Sequence, residues 1–136
     1  MSDSPTSLEL AGLEVTLDRL DYRPGGAQVP PDTPHVFVYH LTIHNRSDRR
    51  VVLLGRKWIV ESADGSRLVV EGDKIVGHMP DLAPGERFSY NSFHLTATHA
   101  RASGSFHGVD AAGTRIHVRI PLFEMRVPEA GSSADS

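Results

Sequence analysis

The chain has 136 residues and a formal net charge of -3, with 39% hydrophobic and 23% charged residues and no cysteine. This length suits one domain whose hydrophobic core needs no cross-links, and the absence of cysteine excludes disulfides, thiolate catalysis and cysteine-based zinc sites. Because no basic excess is present to neutralise phosphates, we expect no nucleic-acid partner.

Small and polar residues make up both ends of the chain. Residues 1–7 and 128–136 contain too little apolar surface to offset the entropy of ordering them, which predicts two disordered tails around one domain at residues 8–127. Residues 1–7 also lack the basic and apolar regions of a signal peptide, and no apolar run reaches the roughly 20 residues that cross a bilayer. We therefore expect a cytoplasmic protein with no membrane partner.

The first half of the predicted domain alternates apolar and polar residues. The pattern predicts strands at 13–18 and 36–44, joined by a long loop at 22–34 that contains two adjacent glycines and several prolines. Since side chains alternate between the two faces of a strand, the second strand should bury one row of side chains. That row comprises Phe37, Tyr39, Leu41 and Ile43.

Turn signals divide the second half into more strands. Residues 51–60 predict a strand with an irregularity at Gly55, and Asp64-Gly65 predicts a hairpin that returns through residues 68–70. Further strands are predicted at 86–92, 104–106 and 116–123, with a turn at 111–114 and with Ile116, Val118 and Ile120 facing inward.

Nothing in the sequence favours a helix, and short strands with regularly spaced turns predict an all-β antiparallel sandwich of about seven or eight strands. Pro84 and Gly85 suit the centre of a type II turn. The segment 82–88 resembles the corner of fibronectin type III domains, with Phe88 in place of the corner tyrosine. The expected topology is therefore immunoglobulin-like or fibronectin type III-like.

The segment from Gly72 to Gly77 resembles a phosphate-binding Gly-x-Gly-x-x-Gly loop in which Lys74 replaces the middle glycine. Such a loop needs a following helix whose free amides hold the phosphates. Pro80 and Pro84 deny this segment a helix. The favoured interpretation is a connection between strands with glycines at positive φ, and we expect no cofactor.

Eight histidines raise the question of metal binding. His40 and His44 would lie on one strand face about 13 Å apart, too far to share an ion. No His-x-His pair or His-Glu-x-x-His helix is present, although His94, His99 and His107 could approach one another. Scattered exposed histidines without a metal site are the favoured interpretation, and they are His35, His40, His44, His78, His94, His99, His107 and His117.

No catalytic constellation is evident in the sequence. There is no Gly-x-Ser-x-Gly nucleophile elbow and no supported pair of catalytic carboxylates, so we expect a protein that is not an enzyme. A basic cluster at one hairpin end could bind an anion or an acidic partner, although its polar surroundings favour a solvated loop. The cluster comprises Arg46, Arg49, Arg50, Arg56 and Lys57.

Several motifs, taken together in their order and spacing, resemble the ApaG family from about residue 13 to residue 128. They include Phe37-x-Tyr39-x-Leu41-x-Ile43-x-Asn45, Arg56-x-Trp58-Ile59-Val60, Val76-Gly77-x-x-Pro80, Leu82-Ala83-Pro84-Gly85-Glu86 and Ile120-Pro121-x-Phe123. The resemblance implies a fibronectin III or immunoglobulin-like sandwich. The chain departs from the family pattern at Lys57, where histidine is usual, and at Lys74, where glycine is usual.

Bacterial ApaG proteins are linked to cobalt resistance and magnesium efflux, and similar domains in eukaryotic F-box and polymerase-delta-interacting proteins look like protein-interaction modules. The resemblance thus implies a non-enzymatic interaction module with an unidentified protein partner. The alternative is a metal- or anion-responsive protein in cobalt and magnesium homeostasis. A homodimer through exposed edge strands is a further possibility. The expected interaction surface comprises Arg56, Lys57, Trp58, Gly72, Lys74, Gly77, His78 and Pro80.

Overall fold

The computed structural model describes residues 6–128 of the chain. Most of the two predicted tails, residues 1–5 and 129–136, lies outside the described residues. Within them the chain forms nine strands and one 3₁₀ turn at Gly26–Gln28, with no α-helix. The strands are β1 (Leu8–Glu9), β2 (Leu13–Pro24), β3 (His35–Asn45), β4 (Val51–Ser62), β5 (Arg67–Asp73), β6 (Asp81–Leu82), β7 (Arg87–Thr96), β8 (Ala100–Asp110) and β9 (Arg115–Met125).

Two packed sheets confirm the predicted all-β sandwich. Sheet A has the order β1-β9-β8-β4-β5, with the short β6 also beside β4, and sheet B has the order β2-β3-β7. Neighbouring strands are antiparallel, except that β1 runs parallel to β9. The finer likeness to immunoglobulin and fibronectin type III topology stays a prediction.

The hydrophobic core lies between the inner faces of the two sheets. The predicted row in β3 is confirmed, because its four side chains are each exposed by 4% or less. Ile116, Val118 and Ile120 of β9 face them from sheet A and are likewise exposed by 4% or less. Removing such side chains from water, at roughly 25 cal/mol per Å² of apolar surface, is the main force that holds the sheets together.

The predicted irregularity in β4 and the predicted type II turn are both confirmed. The register between β4 and β8 shifts between Leu53 and Gly55. A Cβ at position 55 would lie 2.4 Å from the His107 ring, so glycine allows the close approach. At the predicted type II turn, Gly85 has a φ of +93°, and the Glu86 N–H donates to the Ala83 carbonyl at 2.9 Å.

The prediction of a long loop at 22–34 is wrong for its first residues, because β2 continues to Pro24. Its last residues pair with the start of β3, with Tyr22 opposite Phe37. The Tyr22 ring packs on Phe37 with centroids 5.3 Å apart, and its hydroxyl lies 2.9 Å from His35 Nδ1. These contacts extend β2 beyond the segment that alternates apolar and polar residues.

Within residues 6–128, no helix has the length and apolar character needed to cross a membrane.

Candidate functional site

A cleft of about 640 Å³ lies between the two sheets on one side of the sandwich. On this side β5 ends sheet A and β7 ends sheet B. Side chains from both edge strands, and from β3 and β4 behind them, form its walls and base. We name it the inter-sheet cleft, and its lining residues include Tyr39, Trp58, Leu68, Val70, Tyr90, Phe93 and His94.

Three aromatic rings pack together at the base of the inter-sheet cleft. The ring centroids of Tyr39 and Trp58 are 4.9 Å apart, and those of Tyr39 and His94 are 4.8 Å apart. Trp58 and His94 meet edge to face, with centroids 4.7 Å apart and an interplanar angle of 81°. The charge distribution of aromatic rings favours this geometry. Because Tyr39 and Trp58 are almost fully buried, the base of the cleft is fixed by core packing.

Burial keeps the imidazole of His94 uncharged. Its Nε2 atom is buried and has no hydrogen-bond partner among the described residues. Burial disfavours the imidazolium form and lowers the pKa of His94 to about 4. Near neutral pH the ring is therefore a neutral aromatic member of the cleft base.

Two phenol groups add polar atoms to the apolar cleft. Burial raises the pKa of the Tyr90 phenol, and the neighbouring Tyr39 raises it further, whereas Arg56 lowers it. Burial likewise raises the pKa of Tyr39, while a hydrogen bond with Ser92 and the charge of Arg56 lower it. Both phenols stay protonated near neutral pH, and the half-buried Tyr90 can offer its O–H to a bound group.

One end of the cleft carries two cations. The Arg56 guanidinium donates through Nη1 to the carbonyl oxygens of Asp73 and Lys74, at 2.7 and 2.9 Å. Arg56 and Lys74 both line the cleft together with Asp73, which leaves an excess of one positive charge. Neither cation forms an ion pair within residues 6–128. This end of the cleft can therefore attract an anionic group.

The segment that resembled a phosphate loop forms a tight turn instead. The N–H of Ile75 donates to the carbonyl of His78 at 2.7 Å, and the N–H of His78 donates back at 3.0 Å. Between them Val76 and Gly77 have φ values of +48° and +80°, which is the pattern of a type I′ turn. No helix follows, as predicted, so the segment lacks the helix N-terminus that a phosphate loop needs.

The prediction of positive φ is confirmed at Gly77 and wrong at Gly72. Gly72 lies in β5, and a Cβ there would lie 2.9 Å from the Arg56 guanidinium. The left-handed backbone falls instead on Lys74, with a φ of +68°, and on Val76. L-residues adopt this conformation at a cost, because the Cβ crowds the backbone.

The eight residues expected to form the interaction surface do not share one exposed face. Arg56, Trp58, Lys74 and Gly77 line the inter-sheet cleft, but Trp58 is only 3% exposed. The buried Trp58 ring can therefore contact a bound group only at the base of the cleft.

The other members of this set lie outside the cleft lining. Lys57 is directed to the opposite face of β4, with Nζ 3.8 Å from the Glu71 carboxylate. Pro80 is buried, and its carbonyl accepts from the Leu53 N–H at 2.9 Å. The exposed His78 packs on Phe88, with ring centroids 5.5 Å apart.

The basic cluster predicted at residues 46–57 is largely divided into separate ion pairs. Arg46 pairs with Glu14 at 2.5 Å and Arg50 with Asp81 at 2.6 Å. Arg49 bonds the buried Asp110 at 3.2 Å. Arg56 alone of the five enters the cleft lining.

The three histidines that the sequence left free to approach one another lie on different elements. His94 is in the cleft base, whereas His99 accepts the Val127 N–H at 2.8 Å. His107 lies opposite His117 in the register of β8 and β9. Within residues 6–128, no group of three or more His, Cys, Asp or Glu side chains could hold a metal ion.

Sequence reasoning missed the contribution of β7 to the site. Tyr90 and His94 lie two and six residues after Phe88, so they share its inward face of the strand. This two-residue periodicity could have identified them from the sequence. Nothing in the sequence indicated that β5 and β7 would lie at the same open side of the sandwich. That arrangement follows from strand order alone.

The sequence is similar to those of known ApaG proteins. The model of the ApaG domain matches residues 26–110. Protein ApaG of Deinococcus radiodurans is 41% identical over 98 residues, covering 71% of this chain and 77% of that protein. Protein ApaG of Enterobacter sp. (strain 638) is 37% identical over 100 residues, covering 73% and 80%.

Solved structures agree with these sequence matches. A crystal structure from Bordetella pertussis that bears the name ApaA is 29% identical, with a TM-score of 0.76, and covers 90% of this chain and 99% of that one. An X-ray structure of a structural genomics target has a TM-score of 0.78 at 23% identity over 88% of this chain and 89% of that one, which shows a shared fold. The motif order, the sandwich and the domain match lead to one conclusion: the chain belongs to the ApaG family.

Proposed function

We propose that the chain is a non-enzymatic protein-interaction module that holds an extended segment of a partner protein in the inter-sheet cleft. The observation that carries this proposal is an aromatic cleft that ends at Arg56 and Lys74, two cations without ion-pair partners in the described chain. Free sheet edges border the cleft on both sides. Such edges bind extended peptides through main-chain hydrogen bonds, while adjacent pockets select side chains.

The chemistry of the cleft favours binding over catalysis. The uncharged His94 has its Nε2 atom buried without a hydrogen-bond partner in the described part of the chain, so it is poorly placed to transfer protons. A Ser–His hydrogen bond does occur between Ser7 Oγ and His117 Nδ1 at 2.8 Å, but neither residue lines this cleft. A nucleophile also needs an oriented base beside a substrate site.

The lining specifies the chemistry of the segment. The aromatic base and the apolar side chains of Leu68 and Val70 suit an apolar or aromatic side chain. Arg56 and Lys74 suit a carboxylate, since charge-assisted hydrogen bonds to carboxylates are stronger than neutral ones. The preferred segment therefore combines an apolar side chain with an acidic residue or a C-terminal carboxylate.

Peptide selection on the full chain tests this proposal. Peptides recovered from a displayed random library should carry an aromatic or aliphatic side chain beside an acidic one. Phe93→Ser and Arg56→Gln should each weaken their binding by about tenfold or more, because both remove groups from the cleft. The matched controls are Leu122→Ser, which alters a side chain 55% exposed against 56% for Phe93, and Arg23→Gln on β2.

Two results would contradict the proposal. One is a selection that yields no peptide with these features, and the other is equal binding by the cleft variants and the controls. Pyrophosphate alone and cobalt or magnesium alone, measured by calorimetry, test the alternative of an anion- or metal-responsive protein. Binding of pyrophosphate that depends on Arg56 and excludes the peptides would favour that alternative.

A further inference from the structure

The free edge of β5 carries an exposed apolar run. Leu68, Val69 and Val70 are 58%, 46% and 37% exposed, although they are consecutive residues of a regular strand. β5 pairs with β4 along one edge and with no other strand of the described chain. Exposed apolar edge strands are templates for pairing, and most proteins protect them with charges, prolines or bulges.

The hairpin before β5 determines which main-chain groups point to the free edge. The Ser62 N–H donates to the Ser66 carbonyl at 2.9 Å, which makes these two residues a hydrogen-bonded pair. Hydrogen-bonded and non-hydrogen-bonded pairs alternate along an antiparallel ladder. Leu68 and Val70 therefore bond β4. The residues with outward N–H and C=O groups are Arg67, Val69 and Glu71.

The far end of β5 gives the same assignment independently. The Lys74 N–H donates to the Leu54 carbonyl at 2.7 Å. The main-chain groups of even-numbered residues therefore form hydrogen bonds with β4 at both ends of the strand. The register between β4 and β5 does not shift between the two ends. The outward groups of Arg67, Val69 and Glu71 remain available for a further strand.

We propose that two copies of this chain pair antiparallel through their β5 edges, with Val69 of each copy facing the other across a twofold axis. In this register Arg67 of one copy faces Glu71 of the second copy, and the reverse contact is identical by symmetry. Leu68 similarly faces Val70 of the second copy. The strand sequence Arg-Leu-Val-Val-Glu is thus complementary to itself when reversed.

Charges on the outer face of sheet A support this register. Glu61 lies opposite Arg67 in the ladder between β4 and β5, and Lys57 lies 3.8 Å from Glu71. Across the twofold axis the row would alternate in sign, from Glu61 and Arg67 of one copy to Glu71 and Lys57 of the second. Opposite charges on directly facing residues stabilise a strand pair, whereas like charges destabilise it. Arg67 forms no ion pair within residues 6–128.

Shifting the strands by two residues would preserve main-chain bonding but lose the side-chain match. With Val70 on the axis, Leu68 would face Gly72 and Val69 would face Glu71 of the second copy. Apolar side chains would then lie opposite glycine or a carboxylate, and cross-strand apolar contacts would be lost. The Val69-centred register keeps apolar residues opposite apolar ones.

Pairing would also join the two inter-sheet clefts, since Leu68 and Val70 are on the cleft side of β5. The dimer does not depend on the proposed peptide binding, because a peptide that bonds the free edge of β7 leaves the β5 edge available to pair.

Sedimentation equilibrium of the full chain, from micromolar to millimolar concentration, tests the dimer. The wild-type chain should dimerise reversibly. Arg67→Glu alone places like acidic charges opposite each other, and Glu71→Arg alone places like basic charges opposite each other, so each variant should dimerise about tenfold more weakly. An equimolar mixture of the two variants restores opposite charges at both contacts and should form a heterodimer.

The mixture also shows that each variant is folded, because an unfolded chain could not regain association. Arg23→Glu makes the same charge change on β2, in the other sheet, and should dimerise like the wild type. A wild-type chain that stays monomeric into the millimolar range would overturn the proposal. So would single variants that dimerise as tightly as the wild type, or a mixture with no heterodimer.

Discussion

Arg56 and Lys74 are joined by a hydrogen bond of 2.9 Å from the guanidinium Nη1 to the Lys74 carbonyl oxygen. The same nitrogen also bonds the Asp73 carbonyl. A side chain in the middle of sheet A thereby holds the loop that forms the cationic end of the inter-sheet cleft. The loop directs two carbonyl oxygens toward Arg56, which a phosphate-binding loop would not do.

Arg56→Met should loosen this loop. The substitution retains much of the aliphatic stem and removes both hydrogen bonds, so we expect a loss of about 1 kcal/mol in the free energy of unfolding. Faster hydrogen exchange at Ile75 and His78, whose amides close the turn, should accompany it. Arg87→Met is the matched control, and equal exchange rates in the two variants would contradict the role assigned to Arg56.

Val76→Asn should stabilise the protein. Val76 has a φ of +48° in the type I′ turn, where asparagine before glycine is the preferred pair. Relief of the crowded left-handed backbone should raise the free energy of unfolding by about 1 kcal/mol, measured by urea denaturation. Val76→Ala keeps a Cβ in the same conformation and should gain much less. An asparagine variant less stable than the wild type would show that the backbone at Val76 is not strained.

Stability should fall on mild acidification because of His94. Its pKa is about 4 in the folded state and about 6.5 in the unfolded state. Between these values the unfolded chain binds more protons, so stability is full above pH 6.5 and declines as the pH falls toward 4. The loss should approach about 3 kcal/mol.

His94→Phe measures this contribution. The variant keeps an aromatic ring in the cleft base without a titrating group. Denaturation curves between pH 4 and 7 should therefore show a smaller decline in stability for the variant than for the wild type. Parallel declines in the two proteins would show that the His94 imidazole is solvated or hydrogen-bonded in the folded state.

Asn45→Asp should destabilise the turn between β3 and β4. The Asn45 side chain is fully buried, and its amide nitrogen donates to the carbonyls of Arg49 and Leu82 at 2.9 and 2.8 Å. A carboxylate of the same shape would face both carbonyls without a donor. We expect a loss of about 3 kcal/mol at neutral pH by thermal denaturation, with partial recovery at acid pH, where the carboxyl group is protonated.

Local signals predicted much of the fold. Alternation along β3 identified its buried row, and Asp64-Gly65 and Pro84-Gly85 marked turns that the structure contains, because turn chemistry depends on adjacent residues. The extension of β2 to Pro24 was not predictable in this way. It depends on Tyr22 packing against Phe37 and His35, residues that follow a loop of irregular sequence.

The site was less predictable than the fold. The segment that resembles a phosphate loop, from Gly72 to Gly77, does border the cleft. However, Lys74 and Val76 adopt left-handed conformations that were expected at glycines. Trp58 was expected on an exposed surface and packs into the core. Burial of a single aromatic residue depends on which strands cover it, and a sequence pattern does not record that.

The amino-acid sequence was enough to predict the all-β class, the family resemblance, the inward faces of β3 and β9 and the absence of cysteine chemistry. These properties depend on composition and on periodicity within one strand. The three-dimensional arrangement of strands was needed to place the free edges of β5 and β7 on the same side of the sandwich, with an aromatic cleft between them and Arg56 at its end. The order of strands in two sheets places residues that are far apart in the chain side by side, and no local pattern specifies such contacts.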